Sequence, residues 1–136
     1  MKLDLEIITP TEVVFKDEAD EVIIPTVDGE IAILPNHVGL LTKIKPGELT
    51  VKKSGKEIHL AITGGFLEIN ENKVSILADY AVRAENIEIA RAEEARQRAE
   101  RAMKEKGSEN NFLVADAELR KSLLELKVAR KYKPGK

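Results

Sequence analysis

The sequence predicts a β + α protein: a small N-terminal β-sandwich or flattened barrel over residues 1–82, then an antiparallel two-helix hairpin over residues 83–136. Three observations lead there. Up to Ser75 apolar residues alternate with polar ones or run in short Val/Ile/Leu blocks, whereas beyond Ala92 they recur every three or four positions. That change of period marks strands giving way to helices. Turn-forming pairs cut the first part into short segments at roughly ten-residue spacing, the rhythm of a small all-β unit. The last part carries two apolar stripes separated by Gly107-Ser108, the pattern of a helical hairpin.

Leu3, Leu5 and Ile7 alternate with Asp4 and Glu6, and Thr9-Pro10 stops this first strand. Val13–Phe15 and Glu21–Val27 follow. Pro25 places the latter at an edge or a bulge, because proline donates no ladder hydrogen bond. Asp28-Gly29 predicts a hairpin turn into Ile31–Leu34. Val38–Ile44, Glu48–Lys53, Glu57–Thr63, Phe66–Ile69 and Lys73–Leu77 complete the strands. They are divided by Pro35-Asn36, Pro46-Gly47, Ser54-Gly55, Gly64-Gly65 and Asn70-Glu71-Asn72.

The first helix is expected to start with Asn86 as N-cap and Glu88 in its first turn. Its stripe, Ile89, Ala92, Ala95, Ala99, Ala102 and Met103, is narrow and mostly of small side chains, so a second helix can come close. Gly107-Ser108 ends it, and Glu109-Asn110-Asn111 is read as the turn. The second helix shows Phe112, Ala115, Leu119, Leu123 and Leu126 on one face, widened by Leu113, Leu124 and Val128. Two such helices bury little by themselves and need a neighbour.

Composition narrows the function. With 43% hydrophobic and 34% charged residues, the chain reads as globular. Aromatics at 4% and no tryptophan leave no stacking platform for nucleic-acid bases. No cysteine means no disulfide framework or thiolate metal site. No apolar run reaches the ~20 residues of a membrane span, and MKLDLEII lacks the regions of a secretory signal. The expectation is a cytosolic protein, or one held at a membrane only through partners. The net charge of −2 is unevenly spread: residues 117–136 carry seven basic and two acidic side chains, leaving the rest at −7. Two readings stand for this basic end. It is either a surface for an acidic partner or a solvated helix face that suits the negative end of the helix dipole.

Catalytic chemistry finds no footing. His37 sits in a turn and His59 in a strand, neither with a second histidine in ligand spacing. No nucleophile elbow, P-loop or dinucleotide fingerprint occurs, and Gly64-Gly65 reads as a tight turn.

Several strings occur in order: GEIAILPNH (Gly29–His37), LLT (Leu40–Thr42), KPG (Lys45–Gly47), GGFLEI (Gly64–Ile69), VSILAD (Val74–Asp79) and IExxRA (Ile87–Ala92). Together they resemble the epsilon subunit family of the bacterial F-type rotary ATP synthase, over essentially the whole chain.

The resemblance implies a non-catalytic coupling and regulatory subunit on the cytoplasmic face of the bacterial plasma membrane, peripheral to it. The implied partners are the gamma subunit, the membrane rotor ring of c subunits and the catalytic alpha/beta hexamer, with no nucleic acid. Gly29 and Glu30 match the family's rotor-ring contact, and His37 its Pro-x-His turn near that interface. The hairpin is implied to be a mobile brake that suppresses ATP hydrolysis, with Arg120, Lys121, Lys127, Arg130 and Lys131 making the inhibitory contact. No cofactor is required. ATP is implied as a weak regulatory ligand at Glu88, Arg91, Ala92 and Arg98. The site departs from the ATP-binding pattern, with Glu88 where aspartate is expected and Lys121 and Glu125 where two phosphate-facing arginines are expected. A carboxylate at 125 would repel phosphate. A free-standing nucleotide switch and a general adaptor remain as rival readings.

Overall fold

The computed structural model describes residues 1–105 and 107–132. The chain divides into two compact units, Met1–Arg83 and Ala84–Lys136. Lys133 and Lys136, counted in the basic end, lie outside the described residues.

The first unit has ten strands: β1 (Leu3–Ile8), β2 (Val13–Ala19), β3 (Glu21–Thr26), β4 (Gly29–Ile33), β5 (Leu40–Ile44), β6 (Gly47–Lys53), β7 (Lys56–Ile62), β8 (Gly65–Asn70), β9 (Lys73–Ala78) and β10 (Ala81–Arg83). They hydrogen-bond in the order β10-β7-β6-β3-β5-β8-β9-β1-β2, with β4 added to β3. β2 comes back against β6 and β10, so the sheet rolls round one core as a nearly closed barrel or sandwich. All pairs are antiparallel except β1 with β9, where Leu5 lies beside Val74 and Ile7 beside Ile76. The alternation read from the sequence is the alternation of burial. Leu3, Leu5 and Ile7 are fully buried, as are Leu67 on β8 and Val74 and Ile76 on β9. β10 is the strand that the sequence did not disclose, since three residues are too few to show a period.

Pro25 resolves in a specific way. β3 pairs with β6 through Ile23 and with β5 at Thr26, so Pro25 falls where the partner on that side changes. Its carbonyl accepts the Lys45 N–H at 3.0 Å. Because N and C=O of one strand residue face the same way, the proline nitrogen also points into this gap. β4 on the other side loses no bond. Gly65 is a second special position, at φ +137° in a register that pairs it with Ala78 and Ile44. A Cβ there would stand 2.0 Å from the Leu77 carbonyl oxygen.

The second unit has a 3₁₀ turn, Ala84–Asn86, then α1 (Ile89–Lys104) and α2 (Glu109–Tyr132), packed on each other. The expected N-cap moves. Asn86 closes the 3₁₀ turn, the Ile87 N–H bonds the Ala84 carbonyl, and Glu88 takes the cap position without a side-chain cap bond. Burial of Ile87, 2% exposed, fixes the chain there and outweighs the cap preference of asparagine. The second boundary moves as well. Glu109–Asn111 is the first turn of α2, capped by Ser108, whose hydroxyl accepts the Asn111 N–H at 3.1 Å.

The buried face of α2 is also narrower than expected. Leu123 is 48% and Phe112 47% exposed, while Ser122 is 1% exposed. Ala115, Ser122 and Ala129 are buried at intervals of seven on one face, and Ala115 lines a groove together with Ala95 and Ala99 of α1. Small side chains on both helices allow a close seam. Burying Ser122 costs little because its hydroxyl donates back to the Glu118 and Leu119 carbonyls.

Gly65→Ala is expected to destabilise the first unit by at least about 2 kcal/mol, since the clash is with backbone. Urea unfolding followed by a probe in the β unit measures it. A loss under about 0.5 kcal/mol would show that β8 can shift freely at this point.

Candidate functional site

In the first unit Gly29, at φ +118°, ends the two-residue turn Val27-Asp28, where an L side chain would be strained. The Thr26 hydroxyl donates to the Gly29 carbonyl at 2.7 Å and accepts the Asp28 N–H at 3.2 Å, which fixes this hairpin tip. Glu30 is exposed beside Pro25. His37 lies beyond the other end of β4, half-buried. Its N–H donates to the Leu34 carbonyl and its Nδ1 lies 2.7 Å from the Val38 carbonyl, which requires the proton on Nδ1. The fold therefore separates Glu30 from His37 by the length of β4.

A surface that the sequence reading missed lies on β5, β8 and β9. Leu41, Phe66 and Leu77 are 71%, 51% and 55% exposed, although each sits in a regular ladder. Phe66 pairs with Leu77 on one side and Lys43 on the other, and Leu41 pairs with Glu68. With Ser75 and Glu68 these side chains line a shallow groove of roughly 330 Å³. Exposed apolar patches of this kind characteristically mark interaction sites on protein surfaces. A signal existed: Leu40-Leu41, Phe66-Leu67 and Ile76-Leu77 are apolar pairs, so one member must face outward when the other enters the core.

In the second unit the ATP-binding candidates divide. Ala92 is buried. Glu88 and Arg91 are exposed and face each other, Oε2 to Nε at 3.5 Å, and Arg98 lies 3.8 Å from Glu94. Arg98 also lines a groove of roughly 340 Å³ between the helices, with alanines of the seam and Glu118 among its other walls.

The five basic candidates on α2 do not share one face. At 100° per residue, Arg120, Lys127 and Lys131 fall within an arc of about 40°, whereas Lys121 and Arg130 stand well to either side. Arg120 pairs with Asp116 at 3.1 Å, and the Lys131 ammonium lies 5.0 Å from the Tyr132 ring centre. Lys127 is exposed and Lys121 half-buried. Arg130 crosses to α1, where its Nη2 donates to Glu93 Oε2 at 2.6 Å. The other Glu93 oxygen accepts Arg96 Nε at 2.7 Å, and Arg96 Nη1 reaches Glu100 at 2.6 Å. Arg96 first, and Arg130 second, hold the Glu93 carboxyl below its ordinary 4.5. Among the described residues no group of three or more His, Cys, Asp or Glu could hold a metal ion, and no helix is long and apolar enough to cross a membrane.

With both units in view, comparison with known proteins becomes specific. The ATP synthase delta/epsilon chain β-sandwich domain matches residues 2–84, and the delta/epsilon chain long α-helix domain matches residues 85–130. This chain belongs to the ATP synthase delta/epsilon family. The ATP synthase epsilon chain of Herpetosiphon aurantiacus is 45% identical over 130 residues, covering 96% of each chain. That of Desulforamulus reducens is 43% identical over 92% of this chain and 95% of its own. A chain in the mitochondrial ATP synthase of Euglena gracilis, solved with OSCP, F1 and c-ring, superposes with a TM-score of 0.77. It covers 94% of this chain and 81% of that one at 24% identity, a likeness of fold. The order of sandwich then helices is thus the family's own.

The network around Glu93 gives a titration with a fixed sign. Its carboxyl is depressed in the folded chain, so the stabilisation it contributes is present above the ordinary glutamate range. That stabilisation is lost as pH falls through the depressed value. A carboxyl-carbon NMR titration is expected to place Glu93 below 4.5. Arg96→Gln should raise the midpoint more than Arg130→Gln does. The reverse order would contradict the bonding described.

Proposed function

We propose that this chain is a non-catalytic epsilon subunit in the central stalk of an F-type ATP synthase, coupling proton-driven rotation to ATP synthesis. It works peripherally on the cytoplasmic face of a bacterial plasma membrane, and its helical unit restrains ATP hydrolysis. The observation that carries this reading is the ordered match of both family domains along one chain, supported by epsilon-chain relatives that align over nearly its whole length.

The surfaces differ in chemistry, and each suits one partner. The apolar face of Leu41, Phe66 and Leu77 docks on the gamma subunit, where burial of aromatic and aliphatic side chains supplies the affinity. Glu30, on a turn stiffened by Thr26, meets the polar loops of the rotor ring. Arg120, Lys127 and Lys131 present a basic strip to an acidic stretch of the catalytic alpha/beta hexamer. Arg130 and Lys121 join only when α2 leaves its folded position. Charge of this kind steers and selects more than it binds. ATP is a weak regulatory ligand at Glu88, Arg91 and Arg98, because Glu88 and Glu94 already occupy the two guanidinium groups.

Two measurements test the reading. A chain ending at Arg83 keeps the whole of the first unit. Reconstituted into the catalytic complex, it is expected to raise ATP hydrolysis at least about fivefold over the full chain. Equal rates with both chains bound would remove the brake. Phe66→Asp is expected to weaken binding to the gamma subunit by about 30-fold while leaving the unfolding midpoint of the first unit nearly unchanged. Undiminished binding would move the stalk contact to another face.

A further inference from the structure

The hairpin is tied covalently at one end by the loop between α1 and α2; at the other, where Leu126, Val128 and Ala129 are buried, a charge pair joins the helices. Arg130 lies 21 residues into α2 from Glu109, about 30 Å along the axis from the joining loop. Its partner Glu93 lies in the first turns of α1. Separation of the helices beginning at the free end must therefore break this contact early. Glu93 is well prepared for the task. Arg96 holds its Oε1 at 2.7 Å, and Glu100 holds Arg96 in turn at 2.6 Å. The remaining oxygen, Oε2, is thereby aimed at Arg130, 2.6 Å away. An acceptor already fixed by a neighbour loses less side-chain entropy on pairing. The Arg130 side chain is 57% exposed, against 31% for Glu93, so a second carboxylate can approach the guanidinium from solvent.

We propose that Glu93 is an internal competitor for Arg130, a latch that makes hairpin opening and engagement of an acidic partner by Arg130 mutually exclusive with the closed pair. The inference rests on the reading of the hairpin as a brake. It adds a residue on α1 that sets how readily the brake is released. Small side chains form much of the buried face of α2, with Leu126 and Val128 buried close to Arg130, and the ion network adds a salt-sensitive part to what distinguishes closed from open. Salt weakens an exposed pair of this kind and shifts the hairpin towards opening.

The chain has no cysteine, so spin labels can be placed at Gln97→Cys and Ala117→Cys, both exposed positions on facing helices. Pulsed electron resonance on the full chain then reads the ratio of open to closed hairpin at low and high salt. Glu93→Gln is expected to raise that ratio about two- to fivefold and to remove most of its salt dependence. Glu93→Gln with Arg130→Gln should raise it no further than either change alone, because both remove one interaction. An unchanged ratio, or a double variant equal to the product of the singles, overturns the latch. Hydrogen exchange of the last turns of α2 in unlabelled chains repeats the comparison should labelling disturb the seam. In the assembled ATPase, Glu93→Gln is expected to deepen inhibition. If Glu93→Gln opens the hairpin yet the complex holding the chain ending at Arg83 hydrolyses ATP no faster than the complex holding the full chain, the brake fails and the latch stands. If the truncation raises hydrolysis and Glu93→Gln leaves the hairpin closed, the latch fails alone.

Discussion

The parallel contact of β1 with β9 is the one on which the first unit depends. It sets Leu5 beside Val74 and Ile7 beside Ile76, residues about seventy positions apart, and both strands bury the same alternate side chains. Without it, β9 becomes an open edge and the β1–β2 pair comes away from the rest of the sheet. Everything outward-facing is positioned from this inner contact. β8 lies on β9 with Leu67 beside Ile76 in the core, and so Phe66 must stand beside Leu77 on the surface. The apolar patch is the reverse side of the core's own register.

Much of this was legible in the residues. Alternation placed nine strands within a few residues, and the change of period located the helices. What escaped had physical causes. Asn86 is a good cap by itself, but the buried Ile87 decides where the backbone turns. Leu123 looked like core because leucine usually is, yet a seam of alanines admits Ser122 more closely. The individual cations of α2 could be read, while their pairing could not. That Arg130 faces Glu93 and Arg120 faces Asp116 depends on how two helices meet and on side-chain angles that no period encodes.

The two units also differ in what holds them. The first is an aliphatic core closed by ladders on nearly every side, and a change inside it is felt by close-packed neighbours. The second is a pair of helices with narrow apolar faces and a charged exterior. Stability need not be uniform along a chain, and the element that moves is drawn from the less stable part. A stable platform joined to a less stable helical pair fits the proposed coupling and braking role.

The small side chains of the helical seam have a thermal consequence. Beside its alanines and Ser122, the helical unit buries only a few larger apolar side chains, among them Leu126 and Val128, far fewer than the sandwich core, and the heat capacity of a transition follows the apolar surface it exposes. Opening the hairpin therefore carries a smaller heat-capacity change than unfolding the sandwich, and its free energy curves less with temperature. Unfolding the sandwich, with its leucine and isoleucine core, follows a strongly curved dome. Warming and cooling would move the two equilibria along differently shaped curves.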